Sequence, residues 1–437
     1  MKKFFSTIKN IFSIEDLRVR ILNTIGFLVI FRLGSYIVLP GIDANLLGEG
    51  AQGGIFDLLN TFLGGAFSRA SIFALGIMPY ISASIIVQLL TVAIPYFQKM
   101  QKEGESGRKR ITQITRVLTI IITGFQGFSY LKATIDPAAI IEPGLFFYMS
   151  SIVILIAGTM FCMWLGERIT DKGIGNGISM LIMIGIISRF PSSFVTEVVD
   201  KQIGGALFLI IELGVLFAVV MGVILLTQAT RRIPIQYAKQ VIGNKLYGGK
   251  RDFIPLKLNS AGVMPIIFAQ ALMFIPAMLA GLWRDSDIGA YIGSTFSDFT
   301  SWQYNALFGF LILIFTFFYT AITINATDIA DNLKRNGGFV PGVKPGAQTA
   351  EFIDTVLSRI TFPGSIFLVI IAILPAFAVR GGVGQNFAQF YGGTSLLIMV
   401  GVILDTLQQI ESYLLMRHYE GMMKSGRVKG RSQFAAA

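Results

Sequence analysis

Four ionisable residues, Arg32, Glu212, Asp405 and Glu411, lie inside long apolar runs, and Arg116 lies near the end of another. A charge held in hydrocarbon costs free energy, so such residues mark either a route for ions and protons or a structural pair. Asp405 sits mid-run and could serve an ion-coupled carrier of small solutes, with Glu212 as a second acid. The favoured reading is that it pairs with Arg32 or a polar neighbour as a structural bridge. Other chemistry is thinly supplied. The chain has one cysteine, Cys162, within an apolar run, and one histidine, His418, near the basic tail. That excludes an intrachain disulfide and cysteine- or histidine-built metal clusters, and it weakens any Ser-His-Asp reading. H-E-x-x-H does not occur, nor does a P-loop. GIGNGIS, residues 173–179, has the glycines of a phosphate cradle but no strand before it, so it reads as a tight turn opening the next helix. The expectation is no enzyme, no metal and no cofactor.

The elements that position these residues are membrane spans. Of 437 residues, 53% are hydrophobic and only 14% charged, and mean hydropathy is +0.67; a soluble chain carries nearer about 25% charged residues. About ten apolar segments have spanning length. They fall near 21–40, 72–94, 112–132, 145–165, 174–190, 204–229, 261–282, 305–325, 362–380 and 394–416. Pro79 is expected to break one backbone hydrogen bond in the second. The stretch GGIFDLLNTFLGGAFS, 53–68, is different. Its apolar residues Ile55, Leu58, Leu59, Phe62, Leu63 and Phe67 recur at helical spacing, yet at about 1.5 Å per residue it reaches about 24 Å, short of a roughly 30 Å hydrocarbon core. With the second span it reads as a helix broken into a short re-entrant piece and a full crossing. Irregular backbone at membrane depth survives only inside protein or beside a water-filled cavity, so a central cavity is implied; a helix on the outer surface is the alternative.

Lysine and arginine set the orientation. The N-terminal arm, every second connection and the tail hold roughly 28 of them, the opposite set about 6. The basic side is expected to be cytoplasmic, with both termini inside, and the net charge of +11 is mostly this bias. Residues 1–20 read as an amphipathic helix on the cytoplasmic face with Lys2, Lys3 and Lys9 toward headgroups, and not as a cleaved signal. Two halves of five spans, 21–190 and 204–416, would have to be inverted repeats. Two long cytoplasmic connections look structured. In 230–260, alternation around Ile233, Ile235 and Tyr237 and a Gly-Gly at 248–249 suggest a β-hairpin. In 326–361, a short helix, a Gly/Pro tip and a helix from near Thr349 are expected. Loops of this size imply a partner. Residues 417–437 form a basic tail.

GIMPYISASIIVQLL, KEGESGRKRIT, TMFCMWLGERITDKGIGNGIS, LKLNSAGVMPIIFA, TDIADNLKRNGGFVPGVKPGAQTAEFID and FYGGTSLLIMV together resemble the bacterial SecY family of protein-conducting channels. The resemblance implies an all-α membrane protein of ten transmembrane helices, in two inverted five-helix halves around a central hourglass pore. It implies that 53–68, from Gly53, is a plug that seals the pore without spanning, its glycines free to hinge. The family's aliphatic pore ring falls on Ile77, Ile81, Ile182, Ile267 and Ile398, with Ile178 a further candidate. Such a collar excludes ions by dewetting while accepting any chain, and branched side chains keep its aperture defined. A lateral gate between the second and third spans and the seventh and eighth would pass signal sequences and membrane segments into lipid, with Gln88 and Gln270 on its seam. The basic loops imply docking of the ribosome, through RNA phosphates, and of the motor ATPase SecA, by Arg231, Arg232, Lys239, Lys334, Arg335 and Lys344. SecE and SecG are the implied small subunits, nascent polypeptides the cargo, and the bacterial cytoplasmic membrane the location. Two departures stand out: Lys344 in PGVKPG, where the family has arginine, and Val38 in IVLPG. Lysine keeps the charge but loses the planar fork.

Overall fold

The computed structural model describes residues 14–44, 46–47, 60, 63–135, 137–201, 205–237, 240–242, 245–247, 251–270, 272–273, 295 and 298–424. In chain order the elements are α1 (Glu15–Gly34), α2 (Met78–Ala93), α3 (Pro95–Lys102), α4 (Glu105–Ala133), α5 (Leu145–Lys172), α6 (Gly177–Lys201) and α7 (Ala206–Gln228). Strands β1 (Thr230–Tyr237), β2 (Gln240–Ile242), β3 (Lys245–Tyr247) and β4 (Arg251–Lys257) follow. After a helical stretch at 264–270 come α8 (Trp302–Thr323), α9 (Ala326–Arg335), β5 (Gly338–Phe339), α10 (Ala347–Arg380), α11 (Gln385–Ala388) and α12 (Gly393–Lys424).

Among the described residues, 7 helices are long and apolar enough to cross a membrane, or 8 if the bent pair α2–α3 counts as one span. The expected first span, 21–40, begins earlier and ends earlier: α1 starts at Glu15, inside the stretch read as a separate surface helix, and stops at Gly34. Residues 1–13 of that surface helix lie outside the described residues. The expected second span, 72–94, is helical only from Met78, and the chain then bends by 99° into α3. Pro79 does not break a helix. It sits in the first turn of α2, where its missing N–H has no intrahelical role. The seventh span is described only in part. The ninth is no separate element from the loop helix before it: α10 runs unbroken for 34 residues through Pro363 and Pro375, about 51 Å at helical rise, more than a bilayer's hydrocarbon needs.

The chain divides into two compact units. The first takes in the described residues of Met1–Gln52, Leu59–Arg189 and Val402–Ala437. Here α4 packs on α2 and α5, and α1 on α5. Small residues make this close. Phe73 stacks between Phe31 and Phe161 at centroid distances of 5.9 and 5.8 Å, and it fits because a side chain on Gly34 would strike its ring and one on Gly158 the Ile72 carbonyl. Lipid gives packed helices no hydrophobic drive, so such close backbone approach supplies the attraction.

The second unit takes in the described residues of Phe190–Gly401. Its β1 pairs antiparallel with β4, Ile233 opposite Ile254 and Ile235 opposite Asp252, and with β5 on its other side. The expected hairpin alternation is therefore present, although Gly248 and Gly249 lie outside the described residues. Ile233, Ile235, Leu256, Leu333, Ile353 and Leu357 close one apolar core between this sheet, α9 and the start of α10. Asn325 caps α9, accepting from the N–H groups of Thr327 and Asp328.

Candidate functional site

Ile77 caps the N-terminus of α2, and Ile81 lies one turn on; both are buried. Ile178 and Ile182 occupy the first two turns of α6 and are half-buried. That helix starts where the sequence places it. Gly175 takes φ +83°, and the Asn176 carboxamide oxygen accepts from the N–H groups of Ile178 and Ser179. The Ile178 side chain lies against Gly166 of α5. Two polar ties hold the GIGNGIS turn: Thr24 accepts from the Ile174 N–H at 3.0 Å and Gln409 from the Gly175 N–H at 2.8 Å.

In the second unit, Ile267 is half-buried and Ile398 buried. Gln270, placed on the lateral seam by the family resemblance, accepts a 2.5 Å hydrogen bond from the Thr394 hydroxyl and is buried. Val263 lies 3.5 Å from where a side chain on Gly401 would stand. These two contacts hold the 263–270 stretch against the start of α12. Gln88, the other seam candidate, bonds only weakly along its own helix to Ser84.

Of the plug residues, Gly53, Ile55, Leu58, Leu59 and Phe62 lie outside the described residues. Leu63 and Phe67 are buried, but residues 63–70 form turns and not the helix their spacing suggests. Leu63 lies against Gly76. Phe67 meets the Tyr130 ring at 4.7 Å, and the Tyr130 hydroxyl donates to the Phe67 carbonyl at 2.6 Å.

Of the intramembrane charges, Arg116 and Glu212 form ion pairs the sequence did not announce. Arg32 does not bridge to Asp405, which is exposed; it donates to the Gly64 carbonyl. Arg116 of α4 makes a forked 2.8 Å contact with Glu167 of α5. Lys201 lies between two buried carboxylates, at 2.9 Å from Glu197 and in contact with Glu212, while Glu197 also accepts from the Gly384 N–H. The i,i+4 spacing of Glu197 and Lys201 was the available signal. Beside this cluster, Tyr391 has its hydroxyl pKa pushed up to about 12, by burial first and by Glu197 second. Burial likewise pushes the Arg69 guanidinium down from its usual value, with Tyr36 opposing and Arg32 adding to the shift. Among the described residues, no three His, Cys, Asp or Glu side chains could share a metal ion.

Arg231, Arg232, Lys334, Arg335 and Lys344 are all exposed, on β1, on the last turn of α9 and on the tip before α10. Lys239 lies outside the described residues. The tip is shaped by the Thr349 hydroxyl donating to the Lys344 carbonyl at 2.9 Å.

A solved structure described as that of a protein conducting channel matches with a TM-score of 0.65 at 16% identity, covering 90% of this chain and 92% of the other. A second, concerning the plug domain of the SecY protein, matches with a TM-score of 0.63 at 17% identity, again covering 90% and 92%. The fold is therefore that of the protein-conducting channels. A family model described as SecY matches residues 71–407, and the protein translocase subunit SecY of Thermotoga maritima is 42% identical over 438 residues, covering 97% of this chain and 99% of that one. The chain belongs to the SecY family of protein translocase subunits, a multi-pass membrane family, and the reading as an ion-coupled carrier of small solutes is set aside.

Proposed function

We propose that the chain is the central pore subunit of a Sec translocon in a bacterial cytoplasmic membrane, passing unfolded polypeptides across and releasing membrane segments sideways into lipid. Near full-length identity to a translocase subunit carries the reading. In it the helices make two inverted halves of five around an hourglass pore, with both termini cytoplasmic as the lysine and arginine bias asks. Ile77, Ile81, Ile182, Ile267 and Ile398 form the collar, joined by Ile178. The burial of Ile77, Ile81 and Ile398 supports it; the packing of Ile178 on Gly166 gives that residue a structural duty as well. Residues 53–68 are the plug. Gln88 and Gln270 line the gate, Gln270 being held by Thr394 in the described state.

The exposed arginines and lysines of the cytoplasmic cap are the docking surface for SecA and for ribosomal RNA, and SecE and SecG complete the channel. Contacts to phosphate are salt-sensitive and sequence-blind. The protein catalyses no reaction itself; the driving energy comes from its partners. The test is reconstitution with SecE, SecG and SecA in vesicles, read as protease protection of a signal-bearing precursor. Asp405→Asn is expected to leave transport intact, and Ile81→Ser or Ile398→Ser to raise ion leakage and loosen signal selectivity. Loss of transport in Asp405→Asn with silent collar variants would return the carrier reading.

A further inference from the structure

The Gly64 carbonyl accepts two guanidinium hydrogen bonds, from Arg32 at 3.3 Å and from Arg69 at 2.9 Å. Tyr36 braces both donors. Its ring lies 4.3 Å from the Arg69 guanidinium carbon and 5.4 Å from that of Arg32, and its hydroxyl accepts from Arg32. The glycine is required twice over. Gly64 has φ +62°, and a side chain there would run into Arg32, the Ser188 hydroxyl and the Gly185 carbonyl. Gly65, at φ +84°, leaves room for the Arg69 guanidinium. The same turn is tied downstream. Asn60 accepts from the Gly65 N–H through its carbonyl and from the Ser68 N–H through its side chain, and Tyr130 holds the Phe67 carbonyl. All these contacts lie within the first compact unit. By the count above Arg69 is one of only about 6 cations in the less basic connections and Arg32 lies within a span, yet the two converge on one backbone oxygen. The family resemblance implies that glycines of this segment hinge; in the described residues Gly64 and Gly65 are held by these contacts.

We propose that Arg32 and Arg69 are positioning residues of the channel's resting seal, gripping the Gly64 carbonyl so that the downstream end of the 53–68 segment is anchored to the first helix. The inference rests on reading that segment as the plug. Geometry and not charge carries it. Lysine preserves the charge but cannot share a planar fork between a carbonyl and a tyrosine face. The test is resting ion conductance of the SecY–SecE–SecG complex in planar bilayers without substrate. Arg69→Lys, Arg32→Lys and Gly64→Ala should each raise the open fraction roughly ten- to hundredfold, the scale of a hydrogen bond to a charged group. A deletion of residues 53–63 is the reference for an unplugged pore. If the deletion leaks while all three variants stay as tight as the parent, the clamp is wrong and the plug reading survives. If the deletion itself stays tight, the plug reading falls and the clamp with it. Sealing by Arg69→Lys alongside leakage by Arg69→Ala would show that charge suffices, and would overturn the clamp.

Discussion

The cap of β1, β4, β5, α9 and the start of α10 and the membrane helices are held by different forces. The cap is built like a soluble domain: alternating strand residues and one helix stripe bury Ile233, Ile235, Leu256 and Ile353, while Arg231, Lys334 and Arg335 face water. Water drives that burial at about 25 cal/mol per Å². The membrane helices instead expose large apolar side chains such as Phe125 and Phe146 and are tied by glycine contacts, the half-buried Arg116–Glu167 pair, the buried Lys201 cluster and hydroxyl-to-carbonyl bonds. Where the solvent is lipid, apolar side chains cannot drive association, and polar ties and close backbone approach take over.

The comparison can be broken by substitution. The largest effect is expected at a polar tie. Lys201→Met strands Glu197 and Glu212 as buried carboxylates without their ammonium and should cost about 3–5 kcal/mol in detergent unfolding; a change below the error of the measurement would mean the cluster is not a structural tie. Next, Ile353→Ala empties the centre of the cap core and should cost about 2–5 kcal/mol in the cap's own transition. Proteolysis within 230–260 should rise with the bundle helices still protected. Equal loss of both would show that the cap has no core of its own. Thr394→Val removes the bond to Gln270 and should cost about 1 kcal/mol, the usual scale for a side-chain tie between membrane helices. Smallest in stability, Arg335→Ala should fall within about 0.5 kcal/mol of the parent, yet weaken partner docking in a way that added salt mimics.

The sequence made local features legible. The hydropathy runs located most spans, the alternation near Ile233 located β1, and GIGNGIS announced the turn that Asn176 caps. Long-range geometry was not legible. Nothing in the runs told that α1 begins at Glu15, since its first turn carries Glu15 and Asp16 and reads as polar surface. Pro79 reads as a break within a helix, and only the irregular chain at 63–77 puts it in the first turn of α2 instead. The Gly64 clamp joins residues 32 and 69 through a third position, which periodicity cannot encode. The pairing of Arg116 with Glu167 and of Lys201 with Glu212 likewise depends on which helices become neighbours.

The central claim is that a translocating polypeptide touches the isoleucine collar. Its most direct test uses single cysteines in a Cys162→Ser background, at Ile81, Ile182, Ile267 and Ile398, with exposed Phe125 and Phe217 as controls, and crosslinking to a precursor stalled in transit. The account predicts adducts at the four isoleucine positions and none at the two phenylalanines. Adducts at Phe125 or Phe217 with silent isoleucine positions would contradict it.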